Sequence, residues 1–208
     1  MTEILESVAV PSPKRGKYAK TPARRQEILE AATEVFSTQG FRSGSIRDVA
    51  DRVGISQAGL LHHFANKNEL LAAVLQLRDD HASALVDFEA EPGLGTLRGM
   101  LQTMAYNATV PGLVELHCVL SAEATAPDHP AHEYFVNRYD WVLDYLTDAF
   151  VTLHARGGLV PGAQPKSAAR GLIAVMDGLQ VQWLLQGHSF DMAEETRRYM
   201  NSLLVVPL

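Results

Sequence analysis

The side chains best placed to do chemistry in this sequence lie between Ser45 and Lys67. The stretch Ser56-Gln57-Ala58-Gly59-Leu60-Leu61-His62-His63 is dominated by small or hydrogen-bonding residues where a merely solvated helix would carry Glu and Lys. The amide of Gln57 donates and accepts at once, the pairing that fits N6 and N7 of adenine in a DNA major groove. His62 and His63 suggest a metal at first. Neighbouring helical residues point about 100° apart, however, and histidine ligands usually stand at i and i+4. Groove or phosphate contact is the expectation for both, and no metal.

Other candidates are weaker. His129 and His132, beside Asp128, flank Pro130 where a loop turns into a helix, and read as surface residues. Glu115, Glu123 and Asp140 read as solvated helix faces. Residues 80–208 show no nucleophile elbow, Gly-rich phosphate loop or His-Glu metalloprotease motif, so neither an enzyme nor a cofactor is expected. Cys118, the single cysteine, excludes an internal disulfide and reads as a buried small hydrophobe.

The elements that must position these residues are helices. Pro22 suits a first helical position after Thr21, and Ile28, Leu29, Ala32, Val35 and Phe36 form one stripe, stopped at Gly40. Ser45-Ile46-Arg47-Asp48 is a capping box that opens a helix ended by Gly54. Ser56 caps the next helix, and Asn66-Lys67-Asn68-Glu69 is a second capping box before a long one. Helices of two turns need mutual packing, and helix, Gly turn, helix over Ser45–Phe64 is the build of a helix-turn-helix. Pro111, Pro130 and Pro165 open later helices, Gly157-Gly158 stops one, and Asp191 to Glu194 is a third capping box. The fold class is therefore all-α with about nine helices: a three-helix head and a C-terminal bundle.

The chain of 208 residues carries a net charge of −6, with 47 % hydrophobic and 20 % charged residues, the balance of a globular protein with a core. Residues 1–70 hold ten Lys/Arg and eight Asp/Glu, whereas 71–208 hold eight and sixteen. Lys14, Arg15, Lys17, Lys20, Arg24 and Arg25 all precede Glu27. A basic arm on a near-neutral head, followed by an acidic body, suits contact with phosphate at one end only. The N-terminus is acidic where a secretory signal is basic, and no apolar run approaches membrane-spanning length, so no membrane and a cytoplasmic location are expected.

Together, Arg25-Gln26-Glu27-Ile28-Leu29-Glu30-Ala31-Ala32, Phe36, Gly40-Phe41, Ser45-Ile46-Arg47-Asp48-Val49-Ala50, Gly54-Ile55-Ser56, Leu60-Leu61-His62-His63-Phe64 and Lys67 resemble the N-terminal domain of the TetR family. The resemblance spans about residues 22–75. It implies an all-α homodimer with its heads on a palindromic double-stranded DNA operator and a small-molecule effector in the body. Carried over, it places Ser45, Arg47 and Lys67 on phosphate, and Ser56, Gln57, Gly59, Leu61, His62 and His63 on the DNA from the recognition helix. One position departs: the family most often has Tyr where this chain has Leu61. Leucine has no hydroxyl for phosphate and is expected to pack on a thymine methyl or on sugar.

The organisation expected is a flexible basic arm over 1–20, a helix-turn-helix domain over 21–66, and a ligand-binding and dimerisation domain over 67–208. Met100, Met104, His117, Phe135, Tyr139, Trp141 and Met176 are the candidate lining of a cavity between helices. Leu172, Val175, Leu179, Trp183, Tyr199, Met200 and Leu203 are the candidate dimer interface, with Gly171 and Gly178 permitting close approach and Trp183 as anchor. An all-α carrier or enzyme with an incidental helical hairpin is the alternative; neither the basic arm nor the composition of the second helix serves one.

Overall fold

The computed structural model describes residues 22–83 and 93–208. The expected basic arm and the Thr21 cap lie outside the described residues. The first helix, α1 (Pro22–Ser43), buries Ile28, Leu29, Ala32, Val35 and Phe36 along one face, and is broken at Gly40, whose φ of 75° and ψ of 171° suit glycine alone. Helix α2 (Ile46–Val53) starts in the expected capping box: the Ser45 hydroxyl accepts from Asp48 N at 3.1 Å, and the Asp48 carboxylate accepts from Ser45 N at 2.9 Å. Gly54 ends it at φ 71°, donating to Ala50 and Asp51 carbonyls. The short α3 (Gln57–Leu61) is capped by Ser56 Oγ accepting from Gly59 N at 3.0 Å. Asn66 Oδ1 caps α4 (Lys67–Ser83), accepting from Glu69 N at 2.9 Å, but the reciprocal bond differs from expectation: Glu69 accepts from Ala65 N, one residue before the cap.

The body is α5 (Leu94–Thr109), α6 (Pro111–Glu123), α7 (His132–Ala155), α8 (Pro165–Leu185) and α9 (Met192–Leu203). The described residues thus form nine helices, their only β feature an isolated Leu159–Leu204 bridge. None is long and apolar enough to cross a membrane. At α9 the expected capping box is half made: Asp191 accepts from Glu194 N, while the Glu194 carboxylate accepts from Arg197 and Arg198.

One apolar cluster joins Phe36, Val49, Leu60 and Phe64 of the head to Leu70, Leu71, Val74 and Leu75 of α4, and continues into Leu116, Leu120 and Phe135. The boundary drawn at 66/67 falls inside this cluster. Burying each such side chain contributes about 1.5–3 kcal/mol, which is what allows helices as short as α2 and α3 to persist. A second cluster holds Leu97, Leu146, Phe150, Leu172 and Met200; a third holds Met104, Val114, Trp183 and Met192.

These clusters correct three dimer-interface expectations. Leu172, Trp183 and Met200 are at most 3 % exposed and packed inside their own subunit, Trp183 with its indole stacked on His188 at 3.9 Å. Gly171 likewise serves the subunit itself, since a Cβ there would meet the Tyr199 hydroxyl of α9. Val175, Leu179, Tyr199 and Leu203 are half-buried. The exposed large apolar side chains of α8 are instead Val181 and Leu185, the latter 82 % exposed.

Candidate functional site

Two features on the described chain can do recognition: the exposed face around α3, and a cavity in the body. On the α3 face, Gln57 and His62 are exposed, Leu61 is 38 % exposed, and Gly59 and His63 are half-buried. The His62 and His63 rings stand 6.1 Å apart at 74°, and no metal-binding cluster occurs among the described residues. Arg47 is exposed, 3.6 Å from Asp51 one turn on.

Two of the expected phosphate contacts are engaged in the fold. The Ser45 hydroxyl accepts from Asp48 N and donates to Asp48 Oδ2 at 2.6 Å; that donation, with the one from Ser45 N to the same oxygen, holds the Asp48 carboxyl below its ordinary range. Its proton is therefore committed to the cap. The Lys67 ammonium sits 4.3 Å above the Phe41 ring and donates to Arg42 O at 3.4 Å; desolvation lowers its pKa. Lys67 is half-buried, so its ammonium is only partly open to the phosphate expected to meet it.

Beneath Lys67 is a joint between head and body that the sequence did not disclose. Phe41 N donates to Glu123 Oε2 at 2.8 Å, His129 Nε2 stands 3.3 Å from the same oxygen, and Arg42 reaches Asp128 at 3.2 Å. The His129 ring meets Phe41 edge-on at 5.3 Å and is buried, which corrects its expected place on the surface; Glu123 is half-buried rather than fully solvated. Gly40 is the local signal: a Cβ there would lie 2.2 Å from Glu123 Oε1.

The cavity, about 470 Å³, lies between α4, α5, α6, α7 and α8. Of the side chains expected to line it, Met100, His117, Tyr139, Trp141 and Met176 do. Met104 and Phe135 do not: Met104 is packed with Val114, Trp183 and Met192, and Phe135 belongs to the cluster shared with the head. The charged wall went unforeseen. Arg78 Nη2 donates to His117 Nδ1 at 3.1 Å, His117 Nε2 lies 3.2 Å from Asp177 Oδ1, and the Tyr139 hydroxyl donates to Asp177 Oδ2 at 2.8 Å. Beside them Tyr134 and Arg138 donate to Asp79 Oδ1 at 2.9 and 2.6 Å.

Because Arg78 only donates, His117 Nδ1 must accept, which leaves the proton on Nε2 to donate to Asp177. The imidazole is thus neutral, and burial, reinforced by the Arg78 charge, pushes its pKa down to about 4. Burial works to raise Asp177, but bonds from His117 and Tyr139 outweigh it and its pKa is lowered. Cys118 is half-buried rather than fully buried as expected, and its partial burial pushes the thiol up to about 11. One sequence signal for the polar wall did exist: Asp177 is the only charged residue from Gly171 to Leu185.

Comparisons with known proteins agree with this layout. Residues 28–74 match the family model of bacterial regulatory proteins, tetR family, and residues 124–205 match that of the BetI-type transcriptional repressor C-terminal domain. The chain is 25 % identical over 191 residues to the HTH-type transcriptional regulator AcrR of Shigella flexneri, covering 86 % of this chain and 87 % of that one. It is 28 % identical over 187 residues to the HTH-type transcriptional regulator BetI of Ectopseudomonas mendocina, covering 88 % and 92 %. Among solved structures, the triclosan complex of SmeT, repressor of a Stenotrophomonas maltophilia efflux pump, shares the fold with a TM-score of 0.68 at 21 % identity, covering 86 % and 88 %.

Proposed function

This chain belongs to the TetR family of bacterial regulatory proteins and is a DNA-binding transcriptional regulator, and from that premise we propose that it is a ligand-responsive repressor, acting as a cytoplasmic homodimer on a palindromic operator. Gln57, Gly59, Leu61, His62 and His63 read or line the groove, Ser56 helps from the cap, and Arg47, Lys67 and the Ser45 turn meet phosphate. The partner subunit packs on the outer face of α8 and α9, with Val175, Leu179, Tyr199 and Leu203 joined by Val181 and Leu185. A small-molecule effector fills the cavity, as triclosan is bound by SmeT.

The course of α4 carries this reading. Its Leu70, Leu71, Val74 and Leu75 share an apolar cluster with Leu60 of the recognition helix, and its Arg78 and Asp79 line the cavity. From Lys67 to Arg78 is about 17 Å of continuous helix at 1.5 Å per residue. A close-packed interior transmits displacement, so a ligand that shifts Arg78 tilts the head. On a palindrome the two heads must stand about 34 Å apart, one duplex turn, and the tilt alters that spacing. The ligand shifts the balance only by its differential affinity for the two arrangements.

The test is fluorescence anisotropy on an operator selected from random duplexes. With six to ten phosphates bound, affinity should fall roughly 10³–10⁵-fold between 50 and 200 mM salt. A flat salt profile would remove the DNA-binding role of this face. Sedimentation should show a dimer at low micromolar concentration; a monomer overturns the interface on α8 and α9.

A further inference from the structure

The charged groups of the cavity wall form a single connected line. Arg138 bonds Asp79 at 2.6 Å, Arg78 stands 3.7 Å from Asp79 and bonds His117 at 3.1 Å, and His117 and Tyr139 both bond Asp177. Two guanidinium groups thus face two carboxylates, with a neutral imidazole between. Among the described lining residues no other charge occurs. An acidic ligand needs a cation to spare, and a basic one a carboxylate to spare; the wall offers neither. An ion entering here would have to break an existing pair and leave a charge buried without its partner, the costly arrangement.

Two side chains that line the cavity each carry a buried atom without a hydrogen bond: Arg78 Nη1, a donor 3.7 Å from Asp79 Oδ1, and Gln180 Oε1, an acceptor. Buried polar groups are ordinarily satisfied, so both ask for a partner. A hydroxyl supplies donor and acceptor together, whereas a carboxylate supplies only acceptors and an ammonium only donors. The rest of the lining is mainly apolar, with Met100, Leu113, Val142, Ile173, Met176 and the half-exposed Trp141 indole, interrupted by Thr103, Tyr106, Asn107 and Asn137.

We propose that the effector is an electrically neutral amphiphile: an apolar body against the methionine and aliphatic walls, ending in an alcohol or phenol hydroxyl that bonds at Arg78 and Gln180. This rests on the cavity being the effector site. It excludes organic anions and cationic amines as the preferred class.

The experiment uses para-butylphenol, para-butylbenzoate and para-butylbenzylammonium, which share one apolar skeleton and differ in charge, titrated into the full chain by calorimetry at neutral pH. The phenol should bind at least about tenfold tighter than either ion. Asp177→Asn leaves the wall one positive charge in excess, and should raise benzoate affinity relative to phenol by about tenfold or more. Asp79→Asn makes the same change on another helix and serves if Asp177→Asn does not fold. An ion that binds the parent as tightly as the phenol, no phenol binding at about 1 mM, or charge selectivity unmoved in the folded variants overturns the proposal. Operator release is a separate arm. A phenol that binds without releasing operator upholds this ligand chemistry and defeats the repressor reading; release by an ion alone, with no phenol binding, does the reverse.

Discussion

Gly40→Ala is expected to destabilise the protein far more than a one-carbon addition suggests. The backbone there has φ 75° and ψ 171°, which any residue with a Cβ adopts at a cost of about 1–3 kcal/mol. The added Cβ would also stand 2.2 Å from Glu123 Oε1, and the carboxylate has to retreat. That carboxylate accepts the Phe41 N–H at 2.8 Å, a bond to a charged group worth about 1.5–3 kcal/mol. The two costs sum to about 2.5–6 kcal/mol, against a total stability on the order of 5–15 kcal/mol. Urea unfolding of single and double variants separates them. Glu123→Ala removes the obstacle and the bond but leaves the backbone strain, so adding Gly40→Ala to it should cost only about 1–3 kcal/mol. A Gly40→Ala protein within about 0.5 kcal/mol of the parent, or strict additivity in the cycle, refutes the account of this joint.

Lys67→Ala should weaken operator and random duplex alike, reducing the salt slope by about one unit per site. Gln57→Ala should cost about 1–3 kcal/mol on operator and little on random DNA; equal losses on both would mean that α3 meets the groove rotated from the face assigned. Trp183→Ala, now a core truncation, should cost about 3–5 kcal/mol of folding stability at any protein concentration. Leu185→Asp should shift sedimentation toward monomer, and an undisturbed dimer would remove α8's exposed end from the interface. His117 is neutral when folded, with its pKa lowered from 6.5 to about 4, so the unfolded chain takes up the proton first as pH falls. Its contribution is therefore whole above pH 6.5 and lost down to about pH 4, roughly 3 kcal/mol in all, and His117→Gln should flatten that part of the urea-midpoint profile. Matching profiles for parent and variant would refute it.

What the sequence disclosed and what it concealed divide along the range of the interactions. The stripe from Ile28 to Phe36, the Ser45 capping box, the Gly54 stop and the helices opened by Pro111 and Pro165 follow from neighbours within one or two turns, and the structure has them. Glu69 and Glu194 misled because a carboxylate at the third helical position has competing donors, Ala65 N in one case and two arginines in the other. Leu172, Trp183 and Met200 misled for a different reason. An apolar stripe says that a helix face is covered but not which chain covers it, and here the same subunit does. The polar wall was hidden because Arg78 meets His117 across 39 residues and His117 meets Asp177 across 60. Read locally, each is an ordinary polar residue on a helix.

The proposed regulation has a structural consequence in how α4 and α6 are tied. At the cavity the two helices are joined by the Arg78–His117 bond. At the head they are linked again, through the Lys67 ammonium over Phe41 and the Phe41 N–H on Glu123. His117 and Glu123 are six residues apart on α6, about 9 Å, and Arg78 and Lys67 about 17 Å apart on α4. These contacts close a ring in which neither helix tilts freely against the other without exchanging one of two discrete links. A ligand hydroxyl bonded at Arg78 Nη1 would load the same guanidinium whose Nη2 makes the first link. The second is then asked either to hold, carrying the head with α6, or to part, releasing it with α4. Packed elements with two such arrangements switch rather than drift. In this chain the switch would be thrown where Lys67, Phe41 and Glu123 meet, one helix start away from the residues set against DNA.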